Sequence, residues 1–344
     1  MQRREFLAGL AAIGASALVP DILEGAQTRP AAPRTPSGVE GAFRIDVHNH
    51  GNSPGFIAAI KAHNTGQTAL MNWTPAKALE DMDRDGVATV IMSTSEPGVH
   101  FGDAAAARAL ARECNEYFAR LVSDRPTRFG MFATLPLPDV DGALREIEYA
   151  FDTLRADGVC FMSSYEGKYL GDPAFARVMD ELNRRKAVCY THPFRGGMIN
   201  MLPEGRALGV TLSTETTLTI QSILYTNTAT RCPDIRFIWS HGGGTAPYIT
   251  SRLGAAVGPD GKPNANLAAL QKFYYDTAQA FNPYTLATFT RVVPMAHILF
   301  GTDYPFAQAA TVAKGLADFG FKPADLRAIE RDNALELFPR LRRN

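Results

Sequence analysis

Cysteine is scarce in this sequence of 344 residues, and its placement argues against two common kinds of site. The few cysteines are scattered, and none belongs to a C-x-x-C pair. Neither a disulfide scaffold nor a thiolate zinc site is therefore indicated. The cysteines are Cys114, Cys160, Cys189 and Cys232. Cys160 and Cys189 lie in apolar, strand-like runs, and we interpret them as buried structural thiols.

The sequence also lacks an excess of either charge. Lysine and arginine together number 35, and so do aspartate and glutamate. This balance argues against a nucleic-acid-binding protein, which would carry a basic surface. Hydrophobic residues make up 46% of the chain and charged residues 20%, as is typical of a globular protein with a large core. A small molecule is therefore the expected partner.

The apolar run near the N-terminus is too short to cross about 30 Å of hydrocarbon. It belongs to the opening MQRREFLAGLAAIGASALVP, in which Arg3 and Arg4 precede small and branched apolar residues. This order is typical of a twin-arginine export signal of bacteria. We expect residues 1–26 to direct export, with cleavage near Ala17 or Ala26. The mature protein is then periplasmic or exported, without stable membrane insertion.

The remaining chain is predicted to contain a linker followed by one domain. Residues 27–42 are rich in proline and small residues, which predicts an extended linker with no core of its own. No second linker occurs after residue 42. We therefore assign residues 43–344 to a single domain.

Strand-like and helix-like segments alternate through this domain. Eight strand-like runs are recognisable, and caps followed by proline, such as Asp172-Pro173 and Asn282-Pro283, open helices between them. The runs end at His48, Ser93, Leu135, Ser164, His192, His241, Ala278 and Asp303. Strict alternation requires a parallel sheet, and eight such units predict an α/β fold of the (β/α)8 TIM-barrel type. The alternative is a doubly wound open sheet, but HNHGNSPGF after the first run is not a G-x-G-x-x-G phosphate loop.

Histidine is also rare, with seven in the chain, yet four of the seven fall at the ends of predicted strands. His48 and His50 alternate with Asn49 in RIDVHNH, so their side chains point to the same face of an extended strand. His192, His241 and Asp303 end three later runs. In a barrel these carboxyl ends meet at one mouth, where active sites of this fold lie.

Three imidazoles and one carboxylate suit a single borderline divalent cation. Zn²⁺ is the simplest choice, with Mn²⁺, Fe²⁺ and Co²⁺ as alternatives. The ends of the first, fifth and eighth strands are expected to surround the ion, which assigns His48, His50, His192 and Asp303 as ligands. His241 is then close enough to act on bound water or on substrate. The sequence therefore predicts a catalytic pair, His241 and Asp303.

Three further residues are candidates for contact with substrate. His100, in EPGVHFGD after the second strand, lies on a loop at the expected face of the barrel. Phe194 follows His192 directly and either walls an aromatic pocket or packs over the barrel. Arg195 either binds a carboxylate or lies on the surface as an ordinary charged residue.

Several motifs in this order resemble the amidohydrolase superfamily, and within it the aminocarboxymuconate-semialdehyde decarboxylase group. The motifs are IDVHNH, THP, SHGGG, YYDTAQAFNP, LFGTDYPF and DNALELF. The segments PGVHFGD, ATLPLPDVDGAL and KYLGDPAF are similar to the 6-methylsalicylate decarboxylases of that group. The resemblance implies the same ligand set and the same catalytic role for His241. It also implies one metal, because GVCFMSSYEG has no lysine at the end of the fourth strand.

The resemblance also bears on substrate and assembly. The group carries a substrate-binding arginine where WTPAKALEDMD has Ala78, whereas a second arginine, donated across a dimer interface, corresponds to Arg252. Losing one of the two carboxylate clamps favours a monocarboxylate over a dicarboxylate, and Arg252 implies a homodimer.

The expected function is metal-dependent decarboxylation of a small aromatic or unsaturated carboxylic acid. In that reaction Asp303 carries a proton to carbon and His241 holds or relays it. The alternative is hydrolysis of a lactone or amide, with Asp303 taking a proton from water and His241 stabilising an oxyanion. A non-catalytic metal-binding protein is a third interpretation, although a storage site would close its coordination.

Overall fold

The computed structural model describes residues 43–195, 202 and 207–343. Within these residues, eight strands pair side by side in parallel and in sequence order. The strands are β1 (Arg44–His50), β2 (Val87–Ser93), β3 (Phe129–Thr134), β4 (Gly158–Met162), β5 (Val188–His192), β6 (Arg236–Trp239), β7 (Tyr274–Asp276) and β8 (Ile298–Leu299). The predicted export signal and linker, residues 1–26 and 27–42, lie outside the described residues.

Backbone hydrogen bonds join the last strand to the first. The amide of Val47 donates to the carbonyl of Phe300 over 3.0 Å, and the amide of His50 donates to the carbonyl of Tyr304 over 2.8 Å. The eight strands therefore form a barrel with helices between them, and the predicted (β/α)8 fold is confirmed.

Helices follow the strands around the outside of the barrel. They are α1 (Pro54–Ala62), α2 (Thr68–Met71), α3 (Pro75–Asp85), α4 (Ala104–Asp124), α5 (Val140–Glu148), α6 (Ala176–Arg184), α7 (Leu208–Tyr225), α8 (Thr228–Arg231), α9 (Ala265–Lys272), α10 (Pro283–Val292), α11 (Ala309–Phe319), α12 (Pro323–Arg327) and α13 (Asn333–Leu337). None of the described helices is both long enough and apolar enough to cross a bilayer.

Local signals fix where these helices begin and end. The hydroxyl of Thr74 accepts a hydrogen bond from the amide of Lys77, 3.1 Å away, which caps α3 at its start. The helix ends at Gly86, whose φ of +71° is a left-handed conformation that suits glycine. Asp103 and Asn282 cap α4 and α10 in the same way as Thr74 caps α3. These caps orient the loops that cross the mouth of the barrel.

Two apolar layers hold the barrel together. Side chains from the strands fill its interior, where the rings of Phe132 and Tyr190 stack with centroids 5.2 Å apart. A larger layer packs between the outer face of the strands and the helices, and it contains Phe161 and Trp239. The alternation of inward and outward side chains along each strand lets the same strands contribute to both layers. The interior is thus a packed core that supports the mouth from below.

Candidate active site

Four buried or nearly buried side chains converge at the carboxyl ends of the strands. One nitrogen or oxygen atom of each lies within 4.8 Å of one atom of every other member of the group. The group consists of His48, His192, His241 and Asp303. Three imidazoles and a carboxylate at these separations form a site suited to a divalent cation.

The carboxylate of Asp303 lies at the centre of the histidines. Its Oδ1 atom is 3.1 Å from Nε2 of His48 and 3.0 Å from Nε2 of His50, and its Oδ2 atom is 3.3 Å from Nε2 of His241. The ring centroid of His192 is 4.7 Å from the ring centroid of His50 and 5.6 Å from that of His241. The structure therefore brings together all five residues that the sequence assigned to metal binding and catalysis.

The group whose donor atoms all lie within 4.8 Å of one another differs in one member from the predicted ligand set. It contains His241, the predicted catalytic residue, rather than His50, a predicted ligand. Both imidazoles contact the carboxylate of Asp303, His50 at Oδ1 and His241 at Oδ2. The assignment of His50 as a ligand and His241 as the catalytic residue stays a prediction.

His241 and Asp303 lie just beyond the strands that were predicted to end in them. β6 ends at Trp239 and β8 ends at Leu299. Both residues have left-handed backbones, with φ of +53° for His241 and +67° for Asp303. Such conformations are uncommon for residues other than glycine and occur often at functional sites. They turn the chain sharply where each side chain enters the cluster.

A second carboxylate, Asp276 at the end of β7, supports the cluster from beneath. Its Oδ2 atom is 2.8 Å from Nδ1 of His48, and its Oδ1 atom accepts a hydrogen bond of 2.8 Å from the amide of His241. A carboxylate that binds the far nitrogen of a metal-ligating imidazole fixes the ring and its tautomer. Asp276 was not predicted as a site residue, although it lies near the end of a predicted strand as the other members do.

Replacing Asp276 by asparagine is therefore expected to weaken metal binding about 10- to 100-fold. The amide keeps the shape of the side chain but removes the negative charge that holds the His48 ring. Metal affinity measured by competition with a chelator checks this expectation, with Asp318→Asn on the surface of α11 as the matched control. An affinity within a factor of two of the wild type would contradict the supporting role.

The charges of the cluster favour a cation. Burial opposes protonation of His48, but the carboxylates of Asp276 and Asp303 outweigh it and raise its pKa to about 10. Burial alone would raise the pKa of Asp303, yet the surrounding imidazoles, His48 first, hold it well below its usual value. Burial and the neighbouring imidazoles lower the pKa of His192 far below its usual value, so His192 is neutral.

These residues fit a divalent metal ion. Nε2 of His48 is buried without a hydrogen-bond partner among the described residues, and it faces Asp303. The neutral imidazole of His192 and the ionised carboxylate of Asp303 are in the protonation states that ligation requires, whereas His48 must first lose the proton on Nε2. A cation would take the place of the proton on His48, so metal binding releases a proton.

The cluster opens into a cavity of about 310 Å³. Its apolar walls include Leu208, Leu212 and Phe306, and Leu208 and Phe306 are part-exposed at the mouth. Polar side chains also line it, and they are Gln67, Ser95, Glu96, Ser213 and Gln279. His192, His241 and Asp303 form the wall shared with the metal site. A volume of this size is at the lower end for small-molecule pockets, which are about 300–1,000 Å³.

Three of the predicted substrate contacts, His100, Phe194 and Arg252, have other surroundings than the lining of this cavity. Nε2 of His100 is 3.0 Å from a carboxylate oxygen of Glu166, and Phe194 packs against the interior core of the barrel. Arg252 is exposed on the surface. None of the three is among the described residues that line the cavity. Their roles in substrate binding stay predictions.

The barrel and the cluster at its mouth define a (β/α)8 protein with a site of histidines and an aspartate suited to a divalent cation. Residues 45–340 match the Amidohydrolase family. The chain therefore belongs to the amidohydrolase family, as its motifs predicted, and it is an enzyme of that superfamily.

Several relatives of known activity are similar over most of this chain. Decarboxylase yanB of Aspergillus niger is 36% identical over 86% of this chain and 88% of its own length. 6-Methylsalicylic acid decarboxylase acuB of Aspergillus aculeatus is 36% identical over 88% of this chain and 97% of its own length. A dihydroxybenzoic acid decarboxylase of a Polaromonas species, solved with bound manganese and 2-nitroresorcinol, shares the fold with a TM-score of 0.74. Its identity is 23%, and the match covers 87% of this chain and 97% of that one.

Proposed function

We propose that the protein is a metal-dependent decarboxylase of a small aromatic carboxylic acid. The observation that carries the proposal is the buried carboxylate of Asp303, held against three imidazoles in the wall of a small cavity with apolar sides. Similarity to decarboxylases over 86–88% of the chain supports the same reaction. A monocyclic acid is the class of substrate that suits a cavity of about 310 Å³.

His48, His50, His192 and Asp303 would hold one divalent ion. When bound, the ion would supply positive charge that fixes the substrate carboxylate and a neighbouring phenolic oxygen and withdraws electron density from the ring. We propose Zn²⁺ as the ion, with Mn²⁺ as the alternative that the manganese-containing Polaromonas enzyme supports.

The protein's own groups supply the proton. When the bond between the ring carbon and the carboxylate breaks, its electron pair stays on the carbon and must be met by a proton. Asp303 lies 3.3 Å from Nε2 of His241, so a proton can be held between the two side chains. Asp303 would deliver this proton to the ring carbon, and His241 would hold the proton or relay a new one to Asp303. The apolar walls exclude competing water from the carbon that receives the proton.

The test is a panel of hydroxybenzoates and lactones assayed with the metal-loaded protein. We expect CO₂ release from a hydroxybenzoate, together with formation of the corresponding phenol. Release of an acid from a lactone without CO₂ would replace this proposal with hydrolysis on the same site. Absence of both activities in a protein that retains its metal would favour a non-catalytic metal-binding role.

We propose in addition that the protein acts as a homodimer and that it is exported. Arg252 is exposed and does not line the cavity of its own chain, so it would bind substrate only in the cavity of a second copy. The proposal of export, to the periplasm or beyond, depends on Arg3 and Arg4 and the apolar run that follows them.

Replacing Arg252 by alanine is expected to raise KM for the acid at least tenfold and to leave the metal content intact. The reason is the loss of one charge-assisted hydrogen bond, a contribution of about 1.5–3 kcal/mol. Steady-state kinetics with metal analysis measure both quantities, and Arg177→Ala at an exposed ion pair with Asp141 is the matched control. Unchanged kinetics would count against a contribution from the partner copy, as would a monomeric mass for the active wild-type protein.

A further inference from the structure

A buried ion pair lies beside the cavity and has no role in the mechanism proposed above. Glu96 follows the end of β2 by three residues, and Arg195 follows the end of β5 by three residues. Nε of Arg195 contacts Oε1 of Glu96. The Glu96 side chain is 6% exposed and the Arg195 side chain 28% exposed. Glu96 lines the same cavity as His192, His241 and Asp303.

Further contacts occupy both oxygens of the Glu96 carboxylate. The side-chain amide of Gln67 donates to Oε1 over 3.1 Å, and the backbone amide of Arg195 donates to Oε2 over 3.3 Å. The guanidinium charge is therefore offset by the carboxylate, and the carboxylate is held in the wall by three donor groups. Gln67 also lines the cavity, so Glu96 and Gln67 face the space where a substrate would lie, while Arg195 reaches that wall through its contact with Glu96.

The charge of this pair has a consequence for acidic substrates. A buried ion pair is weak evidence for stability, because removing two charges from water costs about as much as their attraction returns. In the cavity, however, Glu96 presents a negative charge to any anionic group that approaches it. Arg195 is paired with Glu96 through Nε, which reduces the charge that it can offer to a second carboxylate on the ring. Like charges placed together in this way are a means of rejecting the wrong partner.

We propose that Glu96 is a specificity-determining residue that restricts the cavity to acids with a single carboxylate by keeping the Arg195 guanidinium engaged. This inference rests on the proposed function, since it concerns the choice among aromatic acids. It predicts a specific change when the negative charge is removed. A freed Arg195 would become a site for a second carboxylate, because guanidinium binds carboxylate through strong, charge-assisted hydrogen bonds.

The experiment uses the full chain loaded with metal and the variant Glu96→Gln. Glutamine keeps the length of the side chain and can still accept from Gln67, but it carries no charge. The substrates are a hydroxybenzoate and the corresponding hydroxyisophthalate, which adds a second carboxylate to the same ring. We expect the ratio of kcat/KM for the dicarboxylate to that for the monocarboxylate to rise at least tenfold, equivalent to about 1.4 kcal/mol. The gain should appear in KM for the dicarboxylate.

Two further variants and a control test the cause of this change. The double variant Glu96→Gln with Arg195→Gln should lose the gain, because the freed guanidinium is gone. Arg195→Gln alone should lower the ratio below that of the wild type, because it leaves Glu96 without its partner. The single variant Arg195→Gln keeps the buried Glu96, so it tests the role of Glu96 in specificity even if Glu96→Gln does not fold. Glu181→Gln, in a surface ion pair with Arg184 on α6, should leave the ratio unchanged.

The outcomes separate this inference from the proposed function. If the wild type releases no CO₂ from any aromatic acid, the proposed function fails, and calorimetric affinities of the same two acids still measure the ratio. An unchanged ratio in folded, metal-loaded Glu96→Gln would overturn the role of Glu96. Persistence of the gain in the double variant would overturn it as well, because the second carboxylate would then bind elsewhere.

Discussion

Replacing Asp303 by asparagine is expected to lower kcat for CO₂ release by about three orders of magnitude. General acid catalysis by a positioned side chain contributes about 10²- to 10⁴-fold. Asparagine preserves the volume of the side chain but cannot deliver a proton to the ring carbon. It also removes the negative charge that three imidazoles surround. Turnover is measured as CO₂ release at saturating substrate, with metal content determined on the same sample.

Asp318→Asn is the matched control for this variant. Asp318 pairs with Lys314 on the surface of α11, so its loss should leave kcat and metal content unchanged. Refilling the Asp303→Asn protein with excess metal separates loss of the ion from loss of the proton donor. A refilled variant that turns over within tenfold of the wild type would rule out Asp303 as the proton donor.

The second large effect is expected from the two histidines whose roles the geometry leaves open. His241→Asn should keep the metal and lose about two to three orders of magnitude in kcat, since His241 is predicted to hold or relay the proton. His50→Asn should lose the metal first, since His50 is predicted to be a ligand. Both rings approach Asp303, through different carboxylate oxygens, so each variant breaks one side of the cluster.

Metal analysis and kinetics on both variants distinguish the two roles. His297→Asn serves as the control, because His297 precedes β8 and its Nδ1 lies 2.7 Å from the carbonyl oxygen of Gln271, away from the cluster. If His241→Asn empties the site and His50→Asn keeps the metal, the assignments exchange, and the ligand set becomes His48, His192, His241 and Asp303.

Local signals made the fold readable from the sequence. Apolar strand-like runs alternate with capped helices, and the predicted caps Asp172 and Asn282 are the caps observed. The period of two along β1 placed His48 and His50 on one face, and the parallel order of strands placed the other cluster members at the same mouth. Each of these inferences uses neighbours in sequence or a rule common to all parallel barrels.

Contacts between distant loops were not readable in this way. Glu96 and Arg195 are 99 residues apart, and nothing in either segment specifies that the two side chains meet. The contact between His100 and Glu166 was not predicted for the same reason, because loop conformation depends on packing that no local pattern encodes. The left-handed backbone conformations of His241 and Asp303 were also not predicted, since neither residue is glycine.

The seam between β8 and β1 is fastened by one buried carboxylate, Asp46. Its oxygens accept hydrogen bonds from the amides of His48 and Thr302, each 3.0 Å away, from the Thr302 hydroxyl at 2.7 Å and from the Asn49 side chain at 3.1 Å. Thr302 immediately precedes Asp303, so the hydrogen bonds of Asp46 connect the segment of His48 on β1 with the segment of Asp303 after β8. These hydrogen bonds thus help to set the spacing of His48 and Asp303, and the binding of a cation requires less rearrangement of the two side chains.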